Sequence, residues 1–167
     1  MIRELAKKLA TFNQFADCVI IEAKFQRGHF DEVAEILKDY SSMIFIRLCS
    51  ANAELLIKLI RPRREIKAAF GSRIKFDEKI WRVFTASEIF DFVETVGDKN
   101  LIYQFNPPIV PALLILDTLC KEFSPNFIKL KFKNFITAGE PLTLNFRGNR
   151  FEILSAGVKK ISGQRLL

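Results

Sequence analysis

The chain offers few side chains of the kinds that carry out catalysis or bind metals. It contains one histidine, His29, and three cysteines, Cys18, Cys49 and Cys120. The cysteines form no CxxC pair and each lies in an apolar segment, which is typical of reduced, packed thiols. His29 lies on a predicted loop, where a structural or capping role is the ordinary one. We therefore expect no metal site and no resident cofactor.

Basic residues concentrate in the middle of the chain and could bind phosphate groups. The formal net charge of the whole chain is +7. The segment from Lys58 to Lys75 contains one acid, Glu65, and seven basic residues: Lys58, Arg61, Arg63, Arg64, Lys67, Arg73 and Lys75. Such a cluster attracts phosphate or an acidic partner, although a solvated face is the more ordinary interpretation. Arg61, Arg63 and Arg64 are the candidate phosphate-binding residues of this segment.

No segment has the composition of a membrane span or of a secretory signal. The longest apolar run, 112–116, is far shorter than the ~20 residues that a span needs. The charged N-terminal residues are not followed by an apolar stretch. The residues are 49% apolar, which is enough to form a core. We expect a folded, cytoplasmic protein.

The first part of the chain predicts a small α/β unit of βαβ type, over residues 1–75. We find no internal repeat and no low-complexity stretch in it. Apolar spacing and β-branched runs predict the following elements: a helix over 3–15, a strand over 18–25, a helix over 30–40, a strand over 43–48 and a helix over 52–60. The last helix is expected to end near Pro62, because proline disfavours a helical residue before it.

The second part predicts an antiparallel sheet beside one enclosed helix. Thr85 and Glu88 have the spacing of a capping box that begins a helix, and Gly97 ends that helix. Residues 100–105 read as extended, and residues 109–123 are apolar almost all round, which indicates a helix enclosed by protein. Alternating apolar and polar residues then predict strands over 128–133, 142–147, 150–156 and 161–166, with turns near 148–149 and 162–163. Such a sheet is expected to curl around the enclosed helix.

Four short segments occur in an order and at a spacing that resemble one enzyme family. They are FTASEIFDFV at 84–93, GDKNLIY at 97–103, IVPALLI at 109–115 and FKNFITAGE at 132–140. The first three resemble the MaoC-like, (R)-specific enoyl-thioester hydratases, and the last resembles a turn that these share with FabZ-type dehydratases. The resemblance implies a hotdog fold, in which an antiparallel sheet wraps around a central helix. The expected class is α+β, with a hotdog domain over 76–167 and an N-terminal α/β extension over 1–75.

The resemblance also implies a site at the start of the central helix. In the family, an Asp and a His in the pattern GDxNPxH flank a water molecule and the α-carbon of an acyl thioester. Backbone amides at the helix start polarise the thioester carbonyl. Asp98 and Asn100 match this pattern, whereas Tyr103 stands at the His position and Leu101 at the Pro position. A tyrosine, with a pKa near ~10, is a poor general base at neutral pH but can donate a hydrogen bond.

Further candidates follow from the same resemblance. Pro111, Ala112 and Leu113 would bind the substrate at the helix start, with Ala112 where the family has glycine. Asp117 lies about two turns into the helix, and an acidic residue on this helix is catalytic in FabZ-type dehydratases. A helix-end or interface role is its ordinary alternative, since a buried carboxylate needs a partner. Lys131 and Lys133, on the polar face of a strand, are further phosphate-binding candidates, although protection of a sheet edge explains them equally.

The leading hypothesis is a hotdog protein that binds an acyl thioester, either acyl-CoA or acyl-carrier protein. It would be a catalytically degenerate or modified hydratase or dehydratase, and whether it is an enzyme stays open. One alternative is an acyl-CoA thioesterase in which Asp98 activates water. A second is a non-enzymatic interaction or nucleic-acid-binding protein that uses residues 58–75, although no nucleic-acid-binding motif is present. The resemblance implies a homodimer, because hotdog acyl sites usually lie at a subunit interface.

Overall fold

The first half of the chain is a helix followed by four antiparallel strands. A computed structural model describes residues 1–62 and 79–167. The first half contains α1 (Ile2–Ala10), a 3₁₀ turn (Asn13–Phe15), β1 (Val19–Arg27), β2 (Val33–Asp39), β3 (Met43–Ser50) and β4 (Ala53–Ile60). α1 is amphipathic and buries Ile2, Leu5 and Ala6.

Two of the predicted helices in this half are wrong. Residues 30–40 contain β2 and residues 52–60 contain β4, so the βαβ interpretation of residues 1–75 is also wrong. In β4, Ala53, Leu55, Ile57 and Leu59 are buried in alternation, as in a strand with one dry face. The half-buried residues between them include Leu56 and Ile60, which hide the alternation in the sequence. The strands over 18–25 and 43–48 are confirmed as β1 and β3.

The second half contains the enclosed helix and a second set of strands. Its elements are β5 (Arg82–Val83), α2 (Ala86–Val96), a 3₁₀ turn (Leu101–Gln104), α3 (Ala112–Phe123), β6 (Phe127–Phe132), β7 (Pro141–Arg147), β8 (Arg150–Ser155) and β9 (Val158–Leu166). The Thr85–Glu88 capping box and the helix end at Gly97 are confirmed. The expected extended segment at 100–105 is a 3₁₀ turn instead. The expected turn at 162–163 lies inside β9, and the chain turns between Ser155 and Val158.

The nine strands that the described residues form belong to one sheet, with the order β2-β3-β4-β1-β6-β9-β8-β7-β5. Every described pairing is antiparallel, and β1 pairs with β6 at the centre, where Lys24 faces Lys129. The path of β1 to β4 on one side repeats that of β6 to β9 on the other. Each set follows a helix, α1 or α3. The chain therefore contains a topological repeat about an approximate two-fold axis between β1 and β6, which the sequence analysis did not detect.

One core joins the two halves. Its buried apolar side chains come from both sets of strands and from all three helices, and include Leu5, Phe25, Leu55, Leu116 and Ile153. α1 contacts both α2 and α3. α3 buries seven of its twelve residues beneath the sheet, as predicted for a central helix. The expected domain boundary at residue 75 lies outside the described residues. No helix in the described part of the chain is long and apolar enough to cross a membrane.

Candidate active site

A cavity of about 320 Å³ lies where the two halves meet. The first half contributes the end of α1, the 3₁₀ turn at Asn13–Phe15, the start of β1 and the end of β4. The second half contributes the loop after α2, the start of α3 and the segment 132–136. Most lining side chains are apolar, which is typical of a site for an apolar ligand. The described residues of the first half, 1–62, therefore contribute one wall of the candidate site, a role that the sequence did not predict.

Asp98 and Tyr103 meet in the lining of this cavity. Gly97 ends α2 in the left-handed conformation, with φ at 73°, and the Asp98 amide donates to the carbonyl of Val93 over 3.1 Å. The chain therefore turns sharply, and the 3₁₀ turn that follows brings Tyr103 back towards Asp98. The Tyr103 hydroxyl donates to Asp98 Oδ2 over 3.0 Å. The other carboxylate oxygen, Oδ1, accepts from the amide of Asn100 over 3.0 Å.

Burial dominates the acid–base behaviour of this pair. It raises the pKa of Asp98, and the hydrogen bonds from Asn100 and Tyr103 oppose that rise. Burial, reinforced by the nearby Asp98 charge, raises the pKa of Tyr103 well above its usual range. Tyr103 therefore keeps its proton at neutral pH and acts as a hydrogen-bond donor, and Asp98 is the member of the pair that can exchange a proton.

Asn100 links the loop at 98–103 to the first half of the chain through hydrogen bonds. Its side-chain amide donates to the carbonyl of Cys18 over 2.8 Å, and its Oδ1 accepts from the amide of Ile102 over 3.2 Å. The side chain is buried, and both of these bonds satisfy it. Asn100 therefore positions the loop that carries Asp98 and Tyr103.

The start of α3 lies in the lining of the cavity. Pro111 is the N-cap and makes no side-chain capping bond, while the amides of Leu114 and Ile115 donate to its carbonyl. The amides of Ala112 and Leu113 belong to the first turn, which has no acceptors within the helix. Pro111 and Ala112 line the cavity, and the Leu113 side chain packs in the core. A carbonyl oxygen that develops negative charge would be stabilised here.

Asp117 does not line the cavity with Asp98 and Tyr103. Its side chain is 8% exposed and lies at the contact of α1 with α3, outside the lining of the cavity. Lys121 Nζ lies 2.7 Å and Arg3 Nε 3.4 Å from Asp117 Oδ2. The buried carboxylate thus has the partners that its position requires, and these place it in an ion-pair network between two helices.

The basic candidates are spread over different surfaces. Lys133 lines the cavity, as does Lys99, which the sequence analysis missed. Lys131 lies on the outer face of the sheet, opposite Glu22 on β1. Arg61 donates to the Asp39 carboxylate over 2.9 Å and to the Tyr40 carbonyl over 2.6 Å. Arg63 and Arg64, with most of the basic segment 58–75, lie outside the described residues.

The remaining chemistry-bearing side chains have ordinary environments. All three cysteines are buried and free. Burial raises the pKa of Cys18 to about 11 and that of Cys120 to about 12, so both thiols resist ionisation at neutral pH. His29 is exposed and lies outside the cavity lining. No three His, Cys, Asp or Glu side chains within 1–62 and 79–167 come together as a metal site.

Solved structures with different activities share this architecture. HtdX from Mycobacterium tuberculosis superposes with a TM-score of 0.69 at 9% identity, over 99% of this chain and 87% of that chain. A MaoC-like dehydratase from Phytophthora capsici gives a TM-score of 0.54 at 11% identity, over 91% and 69% of the two chains. The acyl-CoA thioesterase II TesB2 from Mycobacterium marinum gives 0.52 at 10% identity, over 98% and 86%. The sequence matches no family model and no curated protein.

These similarities establish the fold and nothing finer, because all the identities are low. The protein is an α+β hotdog protein with a nine-stranded antiparallel sheet. The fold implied by the resemblance to MaoC-like proteins is therefore confirmed. Solved neighbours with this fold include both a dehydratase and thioesterases.

Proposed function

We propose that the protein binds an acyl thioester, with the acyl chain in the cavity and the thioester carbonyl at the start of α3. The observation that carries this proposal is the convergence of apolar walls, the Asp98–Tyr103 pair and the Ala112 helix start in one cavity. An acyl chain is apolar and the thioester carbonyl is a hydrogen-bond acceptor, so each part of the ligand meets the chemistry that suits it.

The exposed part of the lining also suits the carrier of the acyl group. Lys99 and Lys133 are exposed and line the cavity, whereas Asp98, the one carboxylate that the described residues place in the lining, is half-buried. CoA and the phosphopantetheine arm of a carrier protein both carry phosphate, at the end of the pantetheine arm opposite the acyl thioester. The two lysines would attract that negative charge.

Binding can be tested by calorimetric titration with saturated acyl-CoAs of short, medium and long chain. Ala112→Phe should abolish binding, because the ring would fill the cavity at the helix start. Ala34→Phe makes the same change on the exposed strand β2 and should leave binding intact. Wild-type protein that binds none of these ligands, or equal binding by both variants, would refute the proposal.

If the site is catalytic, its geometry favours hydrolysis of the thioester over hydration of an enoyl group. The family divides two proton transfers between Asp and His, whereas Tyr103 holds its proton too tightly to take part in such a transfer at neutral pH. Hydrolysis can proceed with Asp98 alone, because a thiolate, with a thiol pKa near ~8.5, leaves without strong acid assistance.

That hydrolysis would use groups at the cavity, in the following steps. Asp98 accepts a proton from water while the water oxygen bonds to the thioester carbon, and the amides of Ala112 and Leu113 stabilise the oxyanion. Collapse of this intermediate breaks the carbon–sulfur bond and releases the thiolate, which then receives the proton from Asp98. The products are a carboxylic acid and a free thiol.

The two reactions are separated by incubating the protein with saturated and α,β-unsaturated acyl-CoAs. Thiol release is followed with a chromogenic disulfide, and hydration by loss of the enoyl absorbance. We expect thiol release that disappears in Asp98→Asn and falls only partly in Tyr103→Phe. Hydration by the wild-type protein would contradict the preference for hydrolysis, and the absence of both reactions would leave a binding protein.

A further inference from the structure

Lys160, on β9, is a fully buried lysine that no part of the proposed chemistry uses. Its side chain is 1% exposed, Nζ forms an ion pair with Glu140 Oε1 at 2.6 Å, and it donates a hydrogen bond to the carbonyl of Phe135 over 2.9 Å. Glu140 is also largely buried, and its second oxygen, Oε2, accepts from the amide of Thr137 over 3.0 Å. The ammonium group and the carboxylate thus both bind buried backbone atoms of the loop between β6 and β7.

A buried ion pair carries a large unfavourable desolvation free energy. Removing two charges from water costs several kcal/mol per ion, and apolar residues of similar volume often serve as well or better. Where such a pair occurs, its specific geometry can select one conformation of the backbone it contacts. In this protein the pair contacts the backbone of residues 133–140, and residues 133–136 of that loop line the cavity.

This loop is in turn bonded to the start of α3. The amide of Val110 donates to the carbonyl of Ile136 over 2.8 Å, and the amide of Ala138 donates to the carbonyl of Pro108 over 2.9 Å. Ile109 and Thr137 form an isolated antiparallel bridge between the same segments. The position of the helix start therefore depends on the conformation of this loop.

We propose that Lys160 and Glu140 are positioning residues of the ligand site. Their buried pair fixes the loop 133–140, which forms one wall of the cavity and holds the segment before α3. The amides of Ala112 and Leu113 would then depend on a charge pair that touches no ligand. The part of this inference that concerns ligand affinity rests on the proposed function.

The test compares two double variants that remove neighbouring Lys–Glu pairs. Lys160→Met/Glu140→Gln removes the buried charges, and the glutamine still offers an acceptor to the Thr137 amide. Lys159→Met/Glu152→Gln makes the same change at an exposed pair of β9 and β8, where Nζ and the carboxylate are 2.5 Å apart. Amide hydrogen exchange, the urea midpoint and acyl-CoA affinity are measured for both variants and the wild type.

In the buried-pair variant we expect exchange at Val110, Ala138 and Gly139 to accelerate by about tenfold or more, with the β1–β6 centre of the sheet unchanged. Acyl-CoA affinity should fall by about tenfold, since the helix start is less well preorganised. The exposed-pair variant should match the wild type in all three measurements. Glu140→Asp, which keeps the charge, should show a smaller effect in the same amides, and serves if the double variant does not fold.

Three results would overturn the inference, and two of them concern the exchange rates. One is unchanged exchange at these amides, and the other is acceleration spread evenly over the sheet, as a general loss of stability produces. If exchange accelerates locally but affinity is unchanged, the pair orders the loop without positioning the site, and the inference fails. If the wild type binds no acyl-CoA, the proposed function fails while the exchange data still decide whether the pair fixes the loop.

Discussion

Tyr103 occupies the position at which the family that this chain resembles has histidine. Its hydroxyl donates to Asp98 over 3.0 Å, and burial holds its pKa well above the usual range. An imidazole in this place could gain and lose a proton near neutral pH, whereas this phenol cannot. At this position the chain therefore has a carboxylate with an oriented hydrogen-bond donor and no second group that titrates near neutral pH.

The raised pKa of Asp98 has a consequence for stability. Because its pKa in the folded protein lies above its ordinary value of 3.8, the free energy of unfolding falls as pH rises through the folded-state pKa. Asp98→Asn removes this loss, so we expect the variant to be more stable than the wild type by about 1 kcal/mol at neutral pH. The measurement is urea unfolding of both proteins across the acidic to neutral range.

The control for this prediction is Asp91→Asn, at an exposed position of α2. Its difference from the wild type should be small at every pH. The Asp98 interpretation would be wrong if the stability gain of Asp98→Asn were the same in acid, where the carboxyl is protonated in both states, as at neutral pH.

Single residues of the site were predictable from the sequence, but their partners were not. The GDxNPxH resemblance singled out Asp98, Asn100 and Tyr103, and the structure brings the three together at the cavity, while their role there stays a prediction. The bond from Asn100 to Cys18 spans 82 positions, and the Lys160–Glu140 pair joins β9 to the loop between β6 and β7. Such contacts depend on the tertiary fold, which local patterns do not specify.

At the scale of elements, the capping box of α2 is the clearest case of sequence dictating structure. Thr85 Oγ1 accepts from the Glu88 amide over 3.2 Å, and the Glu88 carboxylate accepts from the Thr85 amide over 2.8 Å. Thr85→Ala should therefore lower the free energy of unfolding by about 1 kcal/mol. Thr95→Ala, at an exposed position of the same helix, should be neutral or slightly stabilising. Equal effects of both variants in urea unfolding would contradict the assigned cap.

Gly163 marks a place where β9 and β8 leave no room for a side chain. It lies opposite Phe151, and a Cβ added at Gly163 would overlap the Phe151 ring. Gly163→Ala should therefore cost about 1–3 kcal/mol of stability. In a double-mutant cycle, Phe151→Leu should relieve part of that cost, because the smaller side chain frees the space. Strictly additive effects of the two substitutions would show that no such overlap occurs.

The errors in the predicted elements have a common physical origin. β2 is an edge strand, and its register shifts between Ile36 and Lys38. At this shift two apolar residues, Ile36 and Leu37, are adjacent in the sequence, which interrupts the alternation. In β4, Leu56 and Ile60 are half-buried on the outer face. Both departures turn a two-residue period into spacing that resembles a helix. The strands β6 to β9 were predicted within about three residues, because apolar and polar residues alternate in their sequence, whereas the two-residue strand β5 was not predicted.

At the scale of the whole molecule, the two halves complete one another. β1 covers the edge of β6, α1 packs on α2 and α3, and one core runs through both halves. We expect a fragment of residues 79–167 to remain unfolded or to aggregate, because its β6 edge and helix faces would be exposed. Mixing it with a fragment of residues 1–62 should restore the sheet, as measured by circular dichroism and size-exclusion chromatography.

Cooperative unfolding of the 79–167 fragment alone would contradict this expectation. It would show that the second half is an independent domain, as the predicted division into 1–75 and 76–167 implies. Whether two complete chains associate stays a prediction, although the repeat already brings two sets of strands and two helices together within one molecule.

The topological repeat also affects how substitutions act. In an assembly of identical subunits, a single codon change alters two places at once, and both must tolerate it. Here the residues that line the cavity from α1 and β1 are encoded separately from their counterparts in α3 and β6. Each of these residues can therefore be substituted without changing its counterpart. The first half can thus change as an apolar wall of the cavity while the second half keeps Asp98 and Tyr103.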